Sequence, residues 1–202
     1  MTMLKFDQST TPLPASIDEG RAARAIRELL FALGEDPDRD GLRDTPDRVA
    51  RMYRELLEGR GVPPGTHLDR TFAETCDDAV IVRDIQVNSL CEHHLLPFTG
   101  RAHVAYVPGA RVVGLSKLAR TVRVFARRLQ VQERLTTEVA DALMSDLDAR
   151  GALVRIDAEH MCMRVRGVGE PNASMVTTAA RGILREDRTM RSEVLAAFGQ
   201  PR

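Results

Sequence analysis

The densest group of candidate metal ligands in this 202-residue sequence is Cys91-Glu92-His93-His94. Cys91 and His94 form a C-x-x-H pair, a spacing that allows a thiolate and an imidazole to bind one metal ion from a single turn. The pair alone is weak evidence, because a free cysteine beside histidines is often incidental. A metal site therefore requires a further ligand from another part of the chain.

The segment 153–166, LVRIDAEHMCMRVR, offers that ligand. If it forms one strand, His160 and Cys162 lie on the same face, because side chains alternate with period two. An edge strand that enters solvent would explain the neighbouring arginines, but it would not explain an imidazole and a thiol together. With Cys91 and His94, Cys162 would form a Cys2His set that leaves one coordination position for water, as in catalytic zinc sites.

A basic stretch from Arg111 to Gln130 is a candidate anion site, since it contains six positive residues and no acidic residue. Lys117 and Arg120 lie three residues apart on a predicted helix, and Ser116 is expected at its N-cap. These three side chains could converge on an anion at the positive end of the helix. A solvated basic face would explain the same residues. The sequence contains no G-x-x-x-x-G-K-[ST] motif, which excludes a P-loop.

Gln132 and Glu133 place an amide beside a carboxylate at a junction between two predicted helices. A carboxylate that accepts hydrogen bonds from a ring N–H and an exocyclic NH2 group suits the edge of a guanine base. Ordinary surface polarity explains such a pair equally well.

The elements that must position these residues follow from the apolar pattern. Two stretches after Asp78 are rich in Val and Ile and predict strands, AVIVRDIQVNSL and TGRAHVAYVPG. Helices are predicted at 116–129 and 135–150, strands at 152–166 and 174–184, and a short helix at 189–198. The order β-β-α-α-β-β favours an α+β fold in which helices cover one face of an antiparallel sheet. A doubly wound parallel sheet would need strands and helices to alternate singly.

Two helices are predicted before the sheet. The first begins after Asp18 and ends at Gly34, and the second begins at Thr45-Pro46 and ends at Gly59. The predicted domains are a flexible tail at 1–16, an N-terminal helical segment at 17–65 and a sheet-containing domain at 66–202.

The charge balance excludes some classes of protein. The sequence has 29 Lys+Arg and 29 Asp+Glu, so it lacks the basic excess of a dedicated nucleic-acid binder. No apolar stretch is long enough to span a membrane, and no secretory signal is visible. The cytoplasm is therefore the expected compartment. The three cysteines are expected to be free thiols or metal ligands and not a disulfide framework.

Taken together, these motifs resemble the GTP cyclohydrolase I family, and the resemblance covers most of residues 40–190. The matching runs are TPDRVARMY (45–53), NSLCEHHLLPF (88–98), GLSKLAR (114–120), FARRLQVQERLT (125–136) and EHMCMRVRG (159–167). Several of these runs contain the unusual residues themselves.

The resemblance implies that Cys91, His94 and Cys162 bind zinc with water as the fourth ligand, and that this water attacks C8 of GTP. His160 would be the general acid/base at the purine nitrogen, and His93 would contact the ribose. The implied substrate contacts are Ser116, Lys117, Arg120 and Arg166 with the triphosphate, Gln132 and Glu133 with guanine, and Arg48 with phosphate from a neighbouring subunit.

The implied reaction opens the imidazole ring, releases C8 as formate and rearranges the ribose to give 7,8-dihydroneopterin triphosphate, the first step of folate and pterin biosynthesis. The implied architecture is the tunnelling fold, assembled as a homodecamer with active sites between subunits. Neither nucleic acid nor a membrane is an expected partner.

The sequence departs from the family pattern mainly after Gly167, at Glu170, Ala173, Arg181 and Leu184. None of these positions is a proposed ligand or acid/base. Two alternatives stay open: a diverged paralogue that opens a purine ring for another pterin or deazapurine pathway, and a non-enzymatic structural zinc module.

Overall fold

The computed structural model describes residues 16–74 and 76–199, which form two compact units that divide between Arg54 and Glu55. All of the predicted tail except Ser16 lies outside the described residues. The first unit holds α1 (Glu19–Ala32), which begins where the Asp18 carboxylate accepts a hydrogen bond from the backbone N–H of Arg21. Such an N-cap satisfies a backbone donor that the helix itself cannot pair.

The second helix, α2 (Thr45–Leu56), begins at the predicted Thr-Pro pair. Proline suits the first turn of a helix, because the N–H that it lacks would have no partner there. The acidic connection between the helices is held by exposed ion pairs, including Arg27–Asp38 and Arg39–Glu35. Both predicted helices are confirmed, while the predicted domain boundary at residue 65 stays a prediction.

The second unit is built on a five-stranded sheet with the strand order β5-β2-β3-β6-β7. All neighbouring pairs are antiparallel except β5 and β2, which pair in parallel over two residues. Strands β1 and β4 form a separate two-stranded ladder. The strands are β1 (Thr71–Phe72), β2 (Val80–Cys91), β3 (Pro97–Val107), β4 (Val112–Val113), β5 (Leu129–Gln130), β6 (Gly151–His160) and β7 (Met175–Gly182).

Two amphipathic helices, α3 (Leu115–Ala126) and α4 (Gln132–Asp146), pack against one face of the sheet and bury the main core there. Their apolar stripes meet alternate residues of the central strands, such as Tyr106 and Ile156. The Tyr106 hydroxyl stays satisfied inside this core, because it accepts a hydrogen bond from the backbone N–H of Val113 at 3.0 Å. The predicted α+β order and the antiparallel sheet are confirmed.

The other face of the sheet is partly covered by the C-terminal helices α6 (Ile183–Glu186) and α7 (Arg188–Phe198). They form a smaller core that includes Leu184, Val194 and Phe198. Leu184, one of the departures from the family pattern, is thus fully buried and fills an apolar site.

The prediction of one strand over 152–166 is wrong beyond His160. Strand β6 ends there, and a single helical turn, α5 (Met161–Arg164), follows. The ladder stops because the adjacent β3 begins at Pro97, next to the Phe98–His160 pair, and proline has no N–H to donate. Apolar alternation continues in the sequence, but neither β3 nor β7, the two strands beside β6, extends far enough to pair with it.

Candidate metal centre and active site

A tight turn after β2 shapes the first half of the candidate metal centre. The carbonyl of Cys91 accepts hydrogen bonds from the backbone N–H groups of His94 and Leu95, and the N–H of Cys91 donates to the carbonyl of Leu96. Leu95 takes a positive φ of 55°, which lets the chain reverse. The turn brings His94 Nδ1 to 3.7 Å from the buried Cys91 Sγ.

The third ligand comes from α5, which follows β6 directly and places Cys162 beside the turn. One ligand atom from each of Cys91, His94 and Cys162 lies within 4.8 Å of the other two. A tetrahedral zinc ion with Zn–S of about 2.3 Å and Zn–N of about 2.0–2.1 Å separates its sulfur and nitrogen ligands by about 3.6 Å. The observed spacing fits such an ion, and three protein ligands leave a fourth position open.

Burial raises the pKa of the Cys162 thiol, and the adjacent sulfur of Cys91 raises it further. The Cys162 thiol resists ionisation because its thiolate would lose hydration and lie beside a second sulfur. A divalent cation between them removes that penalty, since metal ligation requires the thiolate form. The chemistry of this donor set therefore suits a metal ion.

His160, the last residue of β6, comes two residues before the ligand Cys162. Its ring stacks on Phe98, with the ring centroids 4.6 Å apart and an interplanar angle of 8°. Its Nε2 lies 2.8 Å from Oε1 of Gln132. Burial lowers the pKa of His160, and the charge of Glu133 opposes that shift. The imidazole is therefore neutral near pH 7. The stack on Phe98 holds its ring plane, and the contact with Gln132 holds its Nε2.

Gln132, expected to contact guanine, is the first residue of α4 and is fully buried. Its Nε2 lies 3.0 Å from the carbonyl oxygens of Ile156 and Met175 and 3.1 Å from Oγ1 of Thr177. The adjacent Glu133 is exposed in the first turn of α4 and has no ion-pair partner among residues 16–74 and 76–199. A guanine contact by either residue stays a prediction.

The candidate anion site lies at the start of α3. The N-cap is Gly114 and not Ser116 as expected, because the helix begins at Leu115, one residue before the predicted start. Ser116 and Arg120 are exposed, and Lys117 is half-buried. In the described part of the chain, neither Lys117 nor Arg120 has a carboxylate partner. Two unneutralised cations in consecutive turns remain suited to an anion.

Arg166 contacts the metal centre, since its Nη1 lies 2.8 Å from Nε2 of His94. His93 lies on the exposed side of the turn, with its Nδ1 3.9 Å from Cys91 Sγ. Arg48 lies on α2 in the first unit, where it forms an exposed ion pair with Asp44 at 2.9 Å. The roles of these three residues stay predictions.

A clamp on the metal-binding turn was not predicted from the sequence. Arg134 on α4 donates hydrogen bonds to the carboxylate of Glu92, to the Leu129 carbonyl at 3.0 Å and to Gln130 Oε1 at 2.9 Å. Arg134 also holds the pKa of Glu92 below its usual range. The two residues are 42 positions apart, so no local motif could have indicated the contact.

These features define a class: an α+β protein that has a three-ligand, open metal-binding cluster, a neutral histidine, an exposed carboxylate and, among the described residues, two cations without a carboxylate partner. An open coordination position is the arrangement of catalytic metal sites and not of structural ones.

Comparison with known proteins identifies the family. The family model for GTP cyclohydrolase I matches residues 22–199. GTP cyclohydrolase 1 of Carboxydothermus hydrogenoformans is 53% identical over 184 residues, covering 91% of this chain and 96% of that protein. GTP cyclohydrolase 1 of Streptomyces avermitilis is 56% identical over 181 residues, covering 89% and 90%. The chain belongs to the GTP cyclohydrolase I family, which confirms the resemblance in its motifs.

A further similarity is to a solved structure, the archaeosine synthase QueF-Like in its apo form. It is 12% identical, covers 54% of this chain and 97% of that chain, and has a TM-score of 0.42.

Proposed function

We propose that this protein is a zinc-dependent enzyme that hydrolyses GTP, releases formate and forms 7,8-dihydroneopterin triphosphate. The observation that carries the proposal is the open Cys91–His94–Cys162 cluster beside His160 in a chain of the GTP cyclohydrolase I family. A family member that had kept only the fold would have no need to hold these three ligand side chains together.

Zinc is the proposed metal because two thiolates and one imidazole form a borderline-soft set that suits Zn²⁺ and suits Mg²⁺ or Ca²⁺ poorly. Bound there, zinc would supply Lewis acidity that lowers the pKa of a coordinated water to about 7. The chain's own contribution is to fix the three donors at tetrahedral spacing through the turn after β2 and the single turn of α5.

His160 is the proposed general acid/base at the purine nitrogen. The parallel stack on Phe98 holds its ring plane, and its lowered pKa keeps the imidazole neutral and able to accept a proton near pH 7. His93, exposed on the metal-binding turn, is the proposed ribose contact.

Substrate recognition is proposed for one exposed carboxylate and for a set of hydroxyl and cationic side chains. Glu133 would accept hydrogen bonds from the guanine edge. The triphosphate would be bound by Ser116, Lys117, Arg120 and Arg166, and by Arg48 from a neighbouring subunit. Guanidinium and ammonium groups suit this task, because phosphate oxygens form short, charge-assisted hydrogen bonds with them.

We also propose a homo-oligomer, a decamer with active sites between subunits, in the cytoplasm. Two observations support association. In the described residues, no strand pairs with the outer edge of β7, and an unpaired edge is a template for another chain. Near the metal-binding segments, the apolar side chains of Leu95, Val165 and Val168 are exposed. No helix in the described part of the chain is long and apolar enough to cross a membrane.

The test measures zinc per subunit, formate release from GTP and the fluorescence of the oxidised pterin product. Formate and pterin in equal amounts support the proposal. Formate without pterin would instead indicate the diverged paralogue. His160→Ala should remove nearly all turnover while zinc stays bound. His67→Ala, a histidine on a 3₁₀ turn of the same unit, is the matched control. If neither the wild type nor the controls release formate, a structural zinc module becomes the better description.

A further inference from the structure

The buried amide of Gln132 has only one chemically acceptable orientation. Its Nε2 faces two backbone carbonyl oxygens, those of Ile156 and Met175, and carbonyl oxygens can only accept hydrogen bonds. Rotating the amide by 180° would place Oε1 about 3 Å from both carbonyl oxygens, with no hydrogen atom between the oxygens. The Thr177 hydroxyl adds a third partner on the Nε2 side. Strands β6 and β7 therefore determine where the oxygen of Gln132 lies.

That oxygen determines which nitrogen of His160 carries the hydrogen. Oε1 lies 2.8 Å from His160 Nε2 and can only accept, so Nε2 must donate. In a neutral imidazole, Nδ1 is then the unprotonated nitrogen. Among the described residues, Nδ1 of His160 has no hydrogen-bond partner. Turning the ring over about Cβ–Cγ would put the Cε1 carbon in the place of Nε2 and lose the contact with Gln132, while the stack on Phe98 holds the ring plane.

We infer that Gln132 is a positioning residue: it holds the hydrogen of His160 on Nε2 and leaves Nδ1 to exchange a proton with the substrate. This inference rests on the proposed function and assigns Gln132 a role other than the guanine contact that the family resemblance implies. A proton taken up at Nδ1 leaves again from Nδ1, so proton transfer needs no group beyond His160 and the substrate. Gln132 itself neither gains nor loses a proton.

The position of Gln132 argues against direct substrate contact. The residue is completely shielded from solvent, and its amide hydrogens already face three acceptors within the protein. A guanine base could reach it only by displacing backbone hydrogen-bond partners in β6 and β7. Glu133, the next residue, is exposed and needs no such displacement.

The test combines Gln132→Met, which preserves side-chain length but removes the acceptor, with His160→Ala in a two-by-two cycle. In zinc-loaded protein with His160 present, Gln132→Met should lower kcat for GTP by about 100-fold, the low end of what a positioned general acid/base contributes. With His160→Ala, the same change should alter neither residual turnover nor GTP affinity by more than about twofold, because coupled residues act as one unit. Thr177→Val, which removes one partner of Nε2 but leaves Oε1 in place, is the matched control and should keep kcat within about threefold.

The opposite results overturn the inference. If Gln132→Met weakens GTP binding in the His160→Ala background, the amide contacts the base. If Thr177→Val lowers kcat as much as Gln132→Met does, the effect is one of packing. If Gln132→Met fails to fold, nitrogen NMR of ¹⁵N-histidine-labelled wild-type holoenzyme decides, since the inference requires protonated Nε2 and unprotonated Nδ1 at His160. A wild type that does not turn over GTP refutes the proposed function, while the NMR result still tests the tautomer.

Discussion

The guanidinium group of Arg166 lies 2.8 Å from Nε2 of His94, so a candidate phosphate contact and a candidate metal ligand share one hydrogen bond. Arginine can only donate, which makes His94 Nε2 the acceptor and places the hydrogen of the ring on Nδ1, facing Cys91 Sγ. A metal ion bound at Nδ1 would move that hydrogen to Nε2. The contact with Arg166 would then be lost, and the guanidinium would be released.

The first prediction follows from this contact. Zinc loading should strengthen the binding of inorganic triphosphate, because Arg166 then becomes available to the anion. A charge-assisted hydrogen bond of about 1.5–3 kcal/mol corresponds to a gain of about tenfold or more in affinity. Calorimetry on zinc-loaded and chelator-treated protein measures it. Arg166→Gln should shrink the difference, while Arg164→Gln, an arginine of α5 paired with Glu159, should preserve it. Equal zinc effects in both variants would contradict the mechanism.

The second prediction concerns the metal ligands. Cys91→Ser and Cys162→Ser should each lose bound zinc and GTP turnover, because a serine hydroxyl is not ionised near neutral pH and is a poor zinc ligand. Cys76→Ser is the matched control: its thiol contacts the Asp78 carbonyl and is not part of the cluster. Elemental analysis and formate release measure the two effects. Full zinc content in the Cys162 variant would remove that residue from the site.

The third prediction concerns the Arg134 clamp. Arg134→Gln should weaken zinc affinity by about 10- to 100-fold, as is usual when an outer partner that orients a metal ligand is removed. Glu92→Gln should have a similar effect. The double variant should be little worse than either single variant, since each of the three variants removes the same contact between Arg134 and Glu92. Competition with a coloured chelator measures the affinity. Arg123→Gln, which breaks the exposed pair with Glu58, is the control. Additive effects of the two changes would show that Arg134 and Glu92 act separately.

The fourth prediction concerns His103, a buried histidine that contacts Phe198 of α7 on the face of the sheet away from α3 and α4. Burial lowers the pKa of His103, the nearby carboxylates of Asp84 and Asp157 oppose that shift, and Arg155 and Arg83 add to it. The backbone N–H of Asp84 donates to Nδ1 of His103, so protonation of that nitrogen would break the bond.

Below the ordinary histidine pKa of 6.5, the unfolded chain therefore binds more protons than the folded chain. The contribution of His103 to the free energy of unfolding should be fully present above pH 6.5 and decline as pH falls through the lowered folded-state pKa. Urea unfolding at fixed protein concentration, at pH 7.5 and pH 5.5, measures it. His103→Gln should reduce this loss of stability, and His67→Gln should leave it unchanged. A wild-type stability that rises on acidification would show the opposite sign.

Much of the fold could be predicted from the sequence because its signals are local. The Asp18 cap and the Thr45-Pro46 start mark the ends of helices through the chemistry of neighbouring backbone groups. The β-β-α-α-β-β order follows from periodicity within each segment. The ligands Cys91 and His94 lie in one turn, so their spacing alone places them within reach of one metal ion.

The error at the end of β6 and the missed contact of Arg134 share one cause, which is dependence on a distant neighbour. The end of β6 at His160 is decided by Pro97, more than sixty positions earlier on the neighbouring strand. Arg134 reaches Glu92 only because α4 packs beside the end of β2. The departure at Arg181 also finds its explanation in the fold, since its guanidinium pairs with Asp141 of α4 at 2.6 Å.

The sequence by itself determined which residue types are available for metal binding, acid/base chemistry and anion binding, and it indicated the family through runs that contain them. Only the tertiary structure decided what Gln132 contacts: α4 buries the amide against β6 and β7, and their carbonyl oxygens orient it toward His160. A spacing rule describes residues within one element, whereas the direction of a buried hydrogen bond depends on every element that surrounds it.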